Sequence, residues 1–342
     1  MTREPRQAVI LEIMRMSTED GPGIRTTVFF KGCSLKCAWC HNPESISPRP
    51  QIHWIGSRCL ACKLCLAQCP RGALSFGEDG LRIDRDRCAG CGRCAAECPS
   101  TALEPLGRTW ELDELVREVV KDRAYFEQSN GGITVSGGEP TMQPEFAAAF
   151  LAALRAAGIH TALDTCGQTS PEALATVAAH ADLVLYDLKE IDPERHREFT
   201  GVANDRILDN LKRLAADLRR RAGQTRLWIR TPIIPGATDR DENLAGIGRF
   251  IAANLKGLVE RWDLCAFNNL CRDKYTRLGL EWPYRRADLL SRGQMERLAE
   301  IARQSGVDER LVHWSGSTRM EADDESGEER SRLRVVKGCA TC

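Results

Sequence analysis

Three closely spaced cysteines, Cys33, Cys37 and Cys40, directly follow a run of β-branched and aromatic residues at 26–30 that predicts a β-strand. Their CxxxCxxC spacing supplies three thiolates, whereas a cubic iron–sulfur cluster is usually held by four. We therefore expect a 4Fe-4S cluster with one iron open to a small-molecule ligand. For these three residues taken alone, zinc remains an alternative.

Eight further cysteines form two copies of the motif CxxCxxCxxxCP, which begin at Cys59 and Cys88, 29 residues apart. This pattern is typical of bacterial two-cluster ferredoxins, in which the fourth cysteine of each copy binds the other copy's cluster. The expected ligand sets are Cys59, Cys62, Cys65 and Cys98, and Cys88, Cys91, Cys94 and Cys69. A pair of zinc sites is the alternative, although zinc motifs seldom add a third cysteine at this spacing and a Cys-Pro end.

Length and charge favour an enzyme with one large domain and one small insert. The 342 residues include 48 Lys and Arg and 48 Asp and Glu, so the net charge is zero. This balance gives no basic surface for nucleic acid. No apolar run approaches the roughly 20 residues of a membrane span, and residues 1–10 lack a signal-peptide core. We therefore expect a cytoplasmic protein with no nucleic-acid or membrane partner, in which the thiols stay reduced.

Outside residues 51–106, the chain alternates short strand-like runs with longer helical periods. The predicted strands are 26–30, 133–136, 160–164, 183–187, 226–231 and 263–267, and the predicted helices are 113–128, 143–157, 171–180, 206–221, 241–255 and 287–303. Six strand–helix units predict an α/β fold with a parallel sheet and outer helices. The right-handed crossover rule curls such a series into a partial (β/α)6 TIM-like barrel.

The sequence predicts three parts. Residues 1–50 and 107–320 form a discontinuous barrel, residues 51–106 a ferredoxin-like insert, and residues 321–342 a flexible tail with dense mixed charge. An insert this small is expected to depend on its clusters for stability, because its hydrophobic core is too small. Cys339 and Cys342 could bind metal or exchange disulfides, although an incidental position in a flexible tail is the favoured interpretation.

Every predicted strand ends in a polar or metal-binding group. Barrel enzymes place their chemistry at the carboxyl ends of the strands, so these groups are expected to share one rim. They are Cys33, then Gly137, Gly138 and Glu139, then Asp164 and Thr165, then Asp187 and Lys189, then Arg230, and last Asn268. Each alone has an ordinary explanation, such as a tight turn or a solvated ion pair. Together with an open iron, they predict a site for S-adenosylmethionine, a zwitterionic amino acid attached to a nucleoside.

The chain resembles the radical S-adenosylmethionine superfamily, whose mark is CxxxCx(aromatic)C, here with Trp39 as the aromatic residue. Within it, the chain is similar to the activating enzymes of glycyl radical enzymes. The resemblance runs from residue 10 to about residue 314. It is carried by the segments DGPGIR at 20–25, KGC at 31–33, WCHNPE at 39–44, SGGEP at 136–140 and DLK at 187–189.

The resemblance implies a role for each matching position. Cys33, Cys37 and Cys40 hold the cluster while the methionine amine and carboxylate chelate its fourth iron. The implied cofactor contacts are Trp39, Cys40 and His41 along the adenine, Gly137, Gly138 and Glu139 at the amine, Asp187, Leu188, Lys189 and Arg230 at the methionine and ribose, and Asn268 at the nucleoside. Asp164 and Thr165 resemble a monovalent-cation site, and Asp20 and Arg25 a contact with the partner's loop. The chain departs from many relatives at Cys166, where they have asparagine, and at Asn268, where they have histidine.

The implied activity is that of an oxidoreductase. Reductive cleavage of S-adenosylmethionine yields a 5'-deoxyadenosyl radical, which removes a glycine Cα hydrogen from a glycyl radical enzyme; a flavodoxin or ferredoxin is the implied reductant. The insert disfavours pyruvate formate-lyase as the partner, because such inserts are associated with activating enzymes of dehydratases, choline-type lyases, arylacetate decarboxylases and fumarate-adding synthases. The alternatives are a radical enzyme acting on another peptide or small molecule, and a low-potential electron carrier.

Overall fold

A computed structural model describes residues 6–221 and 224–319. The strands are β1 (Gln7–Ser17), β2 (Arg25–Phe30), β3 (Gln51–Trp54), β4 (Leu74–Gly77), β5 (Gly80–Ile83), β6 (Leu103–Leu106), β7 (Arg108–Glu111), β8 (Gly132–Gly137), β9 (His160–Thr165), β10 (Leu183–Asp187), β11 (Arg226–Ile233), β12 (Val259–Ala266) and β13 (Val312–Ser315). The helices are α1 (Leu64–Gln68), α2 (Arg93–Ala96), α3 (Leu112–Val120), α4 (Arg123–Ser129), α5 (Pro144–Ala156), α6 (Pro171–Ala178), α7 (Pro193–Thr200), α8 (Asp205–Arg220), α9 (Asp241–Asn254), α10 (Arg272–Leu278) and α11 (Arg292–Arg303). The predicted tail, 321–342, lies outside the described residues.

Nine strands form one sheet in the order β13-β12-β11-β10-β9-β8-β2-β1-β7. The seven strands from β2 to β13 in this order pair in parallel, whereas β1 pairs antiparallel with β2 and β7 antiparallel with β1. The predicted α/β class with a mostly parallel sheet is therefore confirmed. Because these seven strands run parallel, their carboxyl ends meet along one edge of the sheet.

All six predicted strands are present, with small shifts at their ends. The last of them, β12, begins at Val259 rather than at 263, because Trp262 is fully buried within the strand. The sequence prediction missed β1, β7 and β13. In β1, register shifts against β2 break the alternation of inward and outward side chains on which strand prediction depends.

Two predicted helices differ from the observed ones. The predicted helix 113–128 is interrupted between α3 and α4, where the buried Asp122 carboxylate accepts hydrogen bonds from Arg15 and from Thr26 Oγ1. The predicted helix 287–303 begins only at Arg292, since the Ser291 side chain and Gln294 form a capping box that fixes its start. Outside residues 51–106, helices α7 and α10 were not predicted. Within the described residues, no helix is both long and apolar enough to cross a bilayer.

The main core lies between the sheet and its helices. Helix α8 shows the pattern clearly, because Ile207, Leu211, Leu214 and Leu218 recur every three or four residues and are all buried. Burial of each such side chain contributes about 1.5–3 kcal/mol to the hydrophobic term. This packing fixes the strands and therefore holds their carboxyl ends in place.

Residues 51–106 form a segment of short elements whose strands do not pair with the nine-stranded sheet. Strand β3 pairs with β6, which sets Gln51 opposite Leu106, and β4 pairs with β5. The apolar cluster of this segment has five buried side chains, namely Ile52, Cys65, Leu81, Cys94 and Leu103. Three of the five are aliphatic, and partly buried side chains such as Trp54 and Phe76 pack against them, so this core is small.

Candidate active site

A cavity of about 340 Å³ opens at the carboxyl ends of the parallel strands. The predicted site residues that line it are Asp20, Cys33, Cys37, Trp39, Cys40, His41, Gly137, Gly138, Asp164, Thr165, Asp187, Lys189, Arg230 and Asn268. Glu139, Leu188 and Arg25 are not part of its wall. The shared rim that the strand ends predict is thus present as a single concave surface.

The loop that carries Cys33, Cys37 and Cys40 is fixed on several sides. The backbone N–H groups of Lys36 and Ala38 donate to carbonyls at the end of α7 at 2.9 and 2.8 Å. On the other side, Tyr275 Oη of α10 donates to Cys40 O at 2.9 Å. The loop is therefore held in place by two helices that the sequence prediction missed.

The environment of the three thiols is mostly apolar. Burial raises the pKa of Cys37 to about 11 and that of Cys40 still further. For Cys33, a hydrogen bond with Cys166 lowers the pKa. Thiols in such surroundings become thiolates when a bound metal supplies the missing positive charge.

Cys33, Cys37 and Cys40 lie together on the wall of the cavity. Among the described residues, no three His, Cys, Asp or Glu side chains converge closely enough to hold one metal ion. Ligands of a single zinc ion lie only about 2.3 Å from the metal, whereas the thiolates of a four-iron cube bind separate irons at separate corners. The donor set of three thiols at one cavity wall fits a cluster of that kind.

Arg230 connects two carboxylates at the cavity. Its Nη1 lies 3.5 Å from Asp164 Oδ1 and 4.0 Å from Asp20 Oδ1. Burial raises the pKa of Asp164 to about 6 although Arg230 opposes the shift. Arg230 Nη1 is itself buried and donates no hydrogen bond to any described residue. Arg230 also lines the cavity, so a ligand carboxylate there would share a guanidinium that is already ion-paired with Asp164.

Asp187 and Lys189 form a second charged pair on the same wall, with Lys189 Nζ donating to Asp187 Oδ2 at 2.5 Å. Burial disfavours the lysine's charge, but the adjacent Asp187 raises the pKa of Lys189 above its ordinary value, so the ammonium stays charged. Leu188, between them, packs its side chain into the main core and can offer only its backbone. The wall thus presents both signs of charge, as a zwitterionic ligand requires.

Gly137, the last residue of β8, and Gly138, which follows it, let the chain lie close against β2 and the residues after it. A Cβ on Gly138 would lie 2.1 Å from Gly32 O, and Gly137 has a φ of +115° with its Cβ position 2.4 Å from Phe30 N. Both positions therefore exclude larger residues. The close approach sets the loop beside the start of the cysteine segment, where Glu139 N donates to Gly32 O at 2.7 Å.

Glu139 is fully buried behind the cavity wall. Its carboxylate accepts hydrogen bonds from Thr141 Oγ1 at 2.7 Å, Thr165 Oγ1 at 2.9 Å and the backbone N–H of Cys166 at 2.8 Å. All these contacts are internal to the protein. Glu139 therefore joins the glycine loop to the end of β9 and acts as a positioning residue.

Replacing Glu139 by glutamine is expected to destabilise the protein by about 1–3 kcal/mol, because the amide NH₂ would face a buried donor that now has an acceptor. Urea unfolding of the reconstituted protein under anaerobic conditions measures this. The matched control is Glu145→Gln on the exposed face of α5, where the change should stay below about 0.5 kcal/mol. Equal stability of both variants would contradict this role for Glu139.

The predicted adenine side of the cavity is aromatic. Trp39 is 4% exposed and packs against Phe199, with ring centroids 5.8 Å apart. His41 Nε2 lies 2.8 Å from the backbone oxygen of Asn268, and burial lowers the pKa of His41, which favours the neutral ring. His41 is therefore the donor in this contact, and it links the cysteine loop to the end of β12.

The two predicted partner contacts differ in accessibility. Asp20 lines the cavity, and its Oδ2 accepts hydrogen bonds from Ser17 Oγ and Thr27 Oγ1, both at 2.6 Å. Arg25 is fully buried, and its Nε donates to Thr134 Oγ1 at 2.6 Å. Burial lowers the pKa of Arg25 to about 10. In this conformation Arg25 braces the sheet and has no surface to offer a partner.

Sequence reasoning missed several residues of the site. Lys274 Nζ donates to Asn42 Oδ1 at 2.7 Å and lies 2.9 Å from Glu44 Oε1, so it anchors the segment that follows Cys40. Glu12 and Met14 of β1 and the thiol of Cys265 also line the cavity. The adjacent residues Lys274 and Tyr275 were a visible signal in the sequence for the first of these contacts. Glu12, Met14 and Cys265 had no such signal.

The cysteines of segment 51–106 surround two small cavities. Cys59, Cys62, Cys65 and Cys98 line one, and Cys69, Cys88, Cys91 and Cys94 line the other. The backbone repeats as well, because Ala73 N donates to Cys69 Sγ at 3.2 Å and Ala102 N to Cys98 Sγ at 3.3 Å. The fourth cysteine of each copy thus lies with the first three of the other.

Comparisons with known proteins agree with this geometry. The sequence model of the Radical SAM superfamily matches residues 27–246. The trans-4-hydroxy-L-proline dehydratase activating enzyme of Clostridioides difficile is 41% identical over 300 residues, which cover 86% of this chain and 95% of that protein. The (2S)-3-sulfopropanediol dehydratase activating enzyme of Klebsiella oxytoca is 37% identical and the choline trimethylamine-lyase activating enzyme of Oleidesulfovibrio alaskensis 38% identical, each match covering 87% of this chain and at least 95% of the relative. The chain therefore belongs to the radical SAM superfamily and, within it, to the activating enzymes of glycyl radical enzymes.

Proposed function

We propose that Cys33, Cys37 and Cys40 hold the 4Fe-4S cluster that membership of the radical SAM superfamily implies, and that the adjoining cavity binds S-adenosylmethionine. The observation that carries this proposal is the presence of three thiols, Lys189 and Arg230 on the wall of one cavity. When bound, the cluster and S-adenosylmethionine supply a reductive cleavage that generates the radical for removal of a glycine Cα hydrogen.

In this proposal the protein binds S-adenosylmethionine, orients it and excludes water from the cavity. The guanidinium of Arg230 and the ammonium of Lys189 receive the methionine carboxylate, while Asp187 faces the amine or ribose. His41 and Trp39 form the apolar side against the adenine. No side chain needs to act as a general base, because a hydrogen atom rather than a proton leaves the glycine.

Asp164 and Thr165 stay a prediction as a monovalent-cation site. Asp164 Oδ2 accepts from Ser136 Oγ at 2.6 Å, and Thr165 Oγ1 donates to Glu139. Arg230 already supplies a positive charge beside Asp164. A bound cation would therefore share this carboxylate with the guanidinium.

For segment 51–106 we propose a ferredoxin-like insert with two further 4Fe-4S clusters, between barrel parts 1–50 and 107–320 and followed by a tail at 321–342. The crossed grouping of cysteines around two cavities supports the cluster proposal. Iron, zinc and sulfide analysis after anaerobic reconstitution decides it. About twelve irons per chain are expected for three clusters, and zinc in their place would contradict it.

Removal of iron is expected to unfold this insert before the rest of the protein. Only three aliphatic side chains, Ile52, Leu81 and Leu103, are buried in its apolar cluster, so bound clusters are expected to supply much of its cohesion. After anaerobic chelation, limited trypsin digestion followed by mass spectrometry should show cleavage first after Arg58, Lys63 and Arg71. The reconstituted protein is the control. Equal protection of these sites with and without iron would contradict the prediction.

The partner is proposed to be a dehydratase or lyase of the glycyl radical class. The relatives reported above are named as activating enzymes of two dehydratases and one lyase. A flavodoxin or ferredoxin is the proposed reductant. Trans-4-hydroxy-L-proline dehydratase is the first partner to test, since its activating enzyme is 41% identical to this chain.

One isotope experiment separates this function from its alternatives. The dehydratase is labelled with deuterium at its glycine Cα positions and incubated with reduced protein and S-adenosylmethionine. Deuterium in the released 5'-deoxyadenosine, together with a glycyl radical signal, is the expected result. An electron carrier would release no 5'-deoxyadenosine, and a radical enzyme with another substrate would release it without deuterium.

A further inference from the structure

The outer face of the cysteine-rich segment carries an exposed apolar loop. We define the outer loop as residues 59–64 and the inner loop as the corresponding residues 88–93. In the outer loop, Leu60 is 69% exposed and Leu64 54% exposed, on either side of the exposed Cys62. The corresponding positions of the inner loop are Ala89 and Arg93, so the apolar surface belongs to one copy of the repeat only.

The outer loop also holds two side chains in a strained backbone conformation. Ala61 has a φ of +52° and Lys63 a φ of +62°, whereas the equivalent positions of the inner loop are Gly90 and Gly92. Glycine is the residue that adopts this conformation without cost. Lys63 adopts this conformation with its side chain exposed, and its Nζ lies 5.9 Å from the centroid of the Phe76 ring, so the ammonium is held beside Leu60 and Leu64.

The outer loop carries a positive charge beside its exposed leucines. Residues 55–77 contain Arg58, Lys63 and Arg71 and no aspartate or glutamate, whereas residues 84–106 contain four acidic residues alongside three arginines. Arg58 is paired with Glu104 at 2.5 Å, so Lys63 is the exposed cation next to Leu60 and Leu64. A cation beside exposed apolar side chains is complementary to an acidic protein surface.

The inner loop faces the rest of the molecule. A Cβ on Gly90 would lie 2.0 Å from Pro50 O, and Arg85 Nη2, beside this loop, donates to Leu278 O of α10 at 3.1 Å. Pro50 follows the segment that carries Cys33, Cys37 and Cys40, and α10 supports that segment through Tyr275. The backbone of the inner loop thus packs against residues next to the candidate active site, whereas Leu60 and Leu64 of the outer loop face solvent.

From this arrangement we propose that the outer loop is the docking surface for an acidic one-electron carrier protein. The inference rests on the proposed function, since it requires a cluster held by Cys59, Cys62, Cys65 and Cys98. Leu60 and Leu64 make the apolar contact, and Lys63 the charged one. A cluster held by Cys59, Cys62, Cys65 and Cys98 would accept one electron from the reduced carrier, which would thereby be oxidised. This step would break no covalent bond and move no proton.

The test is the double variant Leu60→Glu/Leu64→Glu, which changes exposed side chains and adds two negative charges. The matched control is Ala89→Glu/Ala96→Glu, which adds the same charge at exposed positions of the second copy. Binding of a purified, negatively charged flavodoxin is measured by calorimetry, and cluster reduction by reduced flavodoxin is followed by stopped-flow absorbance. The outer variant should lose about tenfold or more in both affinity and reduction rate, and the control less than about twofold.

Dithionite separates the two levels of the proposal, because a small reductant needs no docking surface. With dithionite, the outer variant should form 5'-deoxyadenosine at the wild-type rate. If wild-type protein forms none with dithionite, the proposed function itself is wrong. If dithionite works and the outer variant also accepts electrons from flavodoxin at the wild-type rate, the docking inference alone is wrong. Failure of the outer variant to activate the dehydratase under dithionite would instead assign the loop to the enzyme partner and overturn the inference.

Discussion

Replacing Cys37 and Cys40 by alanine is expected to remove one cluster and to abolish formation of 5'-deoxyadenosine. Both thiols lie on the wall of the cavity at the strand ends and are buried there. With three clusters in the wild type, iron should fall from about twelve to about eight atoms per chain. Iron and sulfide analysis and electron paramagnetic resonance of the reduced protein measure the loss.

A cysteine variant in the insert provides the contrast. Cys94→Ala should also lower the iron content, but its reduced spectrum should keep the component that changes on addition of S-adenosylmethionine, because that component belongs to the active-site cluster. Cys339→Ala, outside every motif, should keep all the iron. If the Cys37→Ala/Cys40→Ala variant still responded to S-adenosylmethionine, these cysteines could not hold the open cluster.

Six of the seven parallel strands, all except β13, were predicted from short runs rich in apolar and β-branched residues. Strand β10 matches its prediction at both ends, and its five residues, Leu183–Asp187, are apolar until the last. A short apolar run that ends in a charged residue indicates both the strand and the edge where its chemistry lies. The rim of the cavity could therefore be assembled from the sequence, with Asp187 and Lys189 in the correct place.

Strand β1 and helix α10 could not be predicted in this way. Strand β1 has register shifts and Met16 at a φ of +63°, which disrupt a period of two. Helix α10 has only seven residues and depends on tertiary contacts, such as the stacking of Tyr275 on Trp282 at 5.4 Å. Elements held by distant contacts leave little trace in local sequence.

The charged cluster of the site shows the same limit. Asp20, Asp164 and Arg230 come from the loop before β2, from β9 and from β11, far apart in sequence. Nothing in the local pattern predicts that the guanidinium lies 3.5 Å from Asp164. The sequence predicted Arg230 as a cofactor contact, but its position as the counter-ion of Asp20 and Asp164 follows only from the three-dimensional arrangement.

Replacing Arg230 by methionine is expected to weaken binding of S-adenosylmethionine by about a hundredfold, because loss of one partner in a buried charged contact costs at least about 2–3 kcal/mol. Equilibrium dialysis of the reconstituted, unreduced protein measures the affinity without turnover. Arg230→Lys keeps the charge but has a single donor centre, so it should recover part of the affinity. If Arg230→Met bound S-adenosylmethionine with wild-type affinity, the Arg230 guanidinium could not be the contact of the ligand carboxylate.

The folding stability of Arg230→Met should also depend more strongly on pH than that of the wild type. Burial already raises the pKa of Asp164 to about 6 in the presence of Arg230, and loss of the guanidinium raises it further. A carboxyl whose folded-state pKa lies above its unfolded value favours the folded state only while protonated, so stability falls as pH rises through that range. Urea unfolding of Arg230→Met should therefore show lower stability at pH 8 than at about pH 5.5, by a larger margin than in the wild type.

Adding Asp164→Asn should remove this additional pH dependence of stability, because it removes the titrating group. A margin that persists in the double variant would assign the pH dependence to another carboxylate.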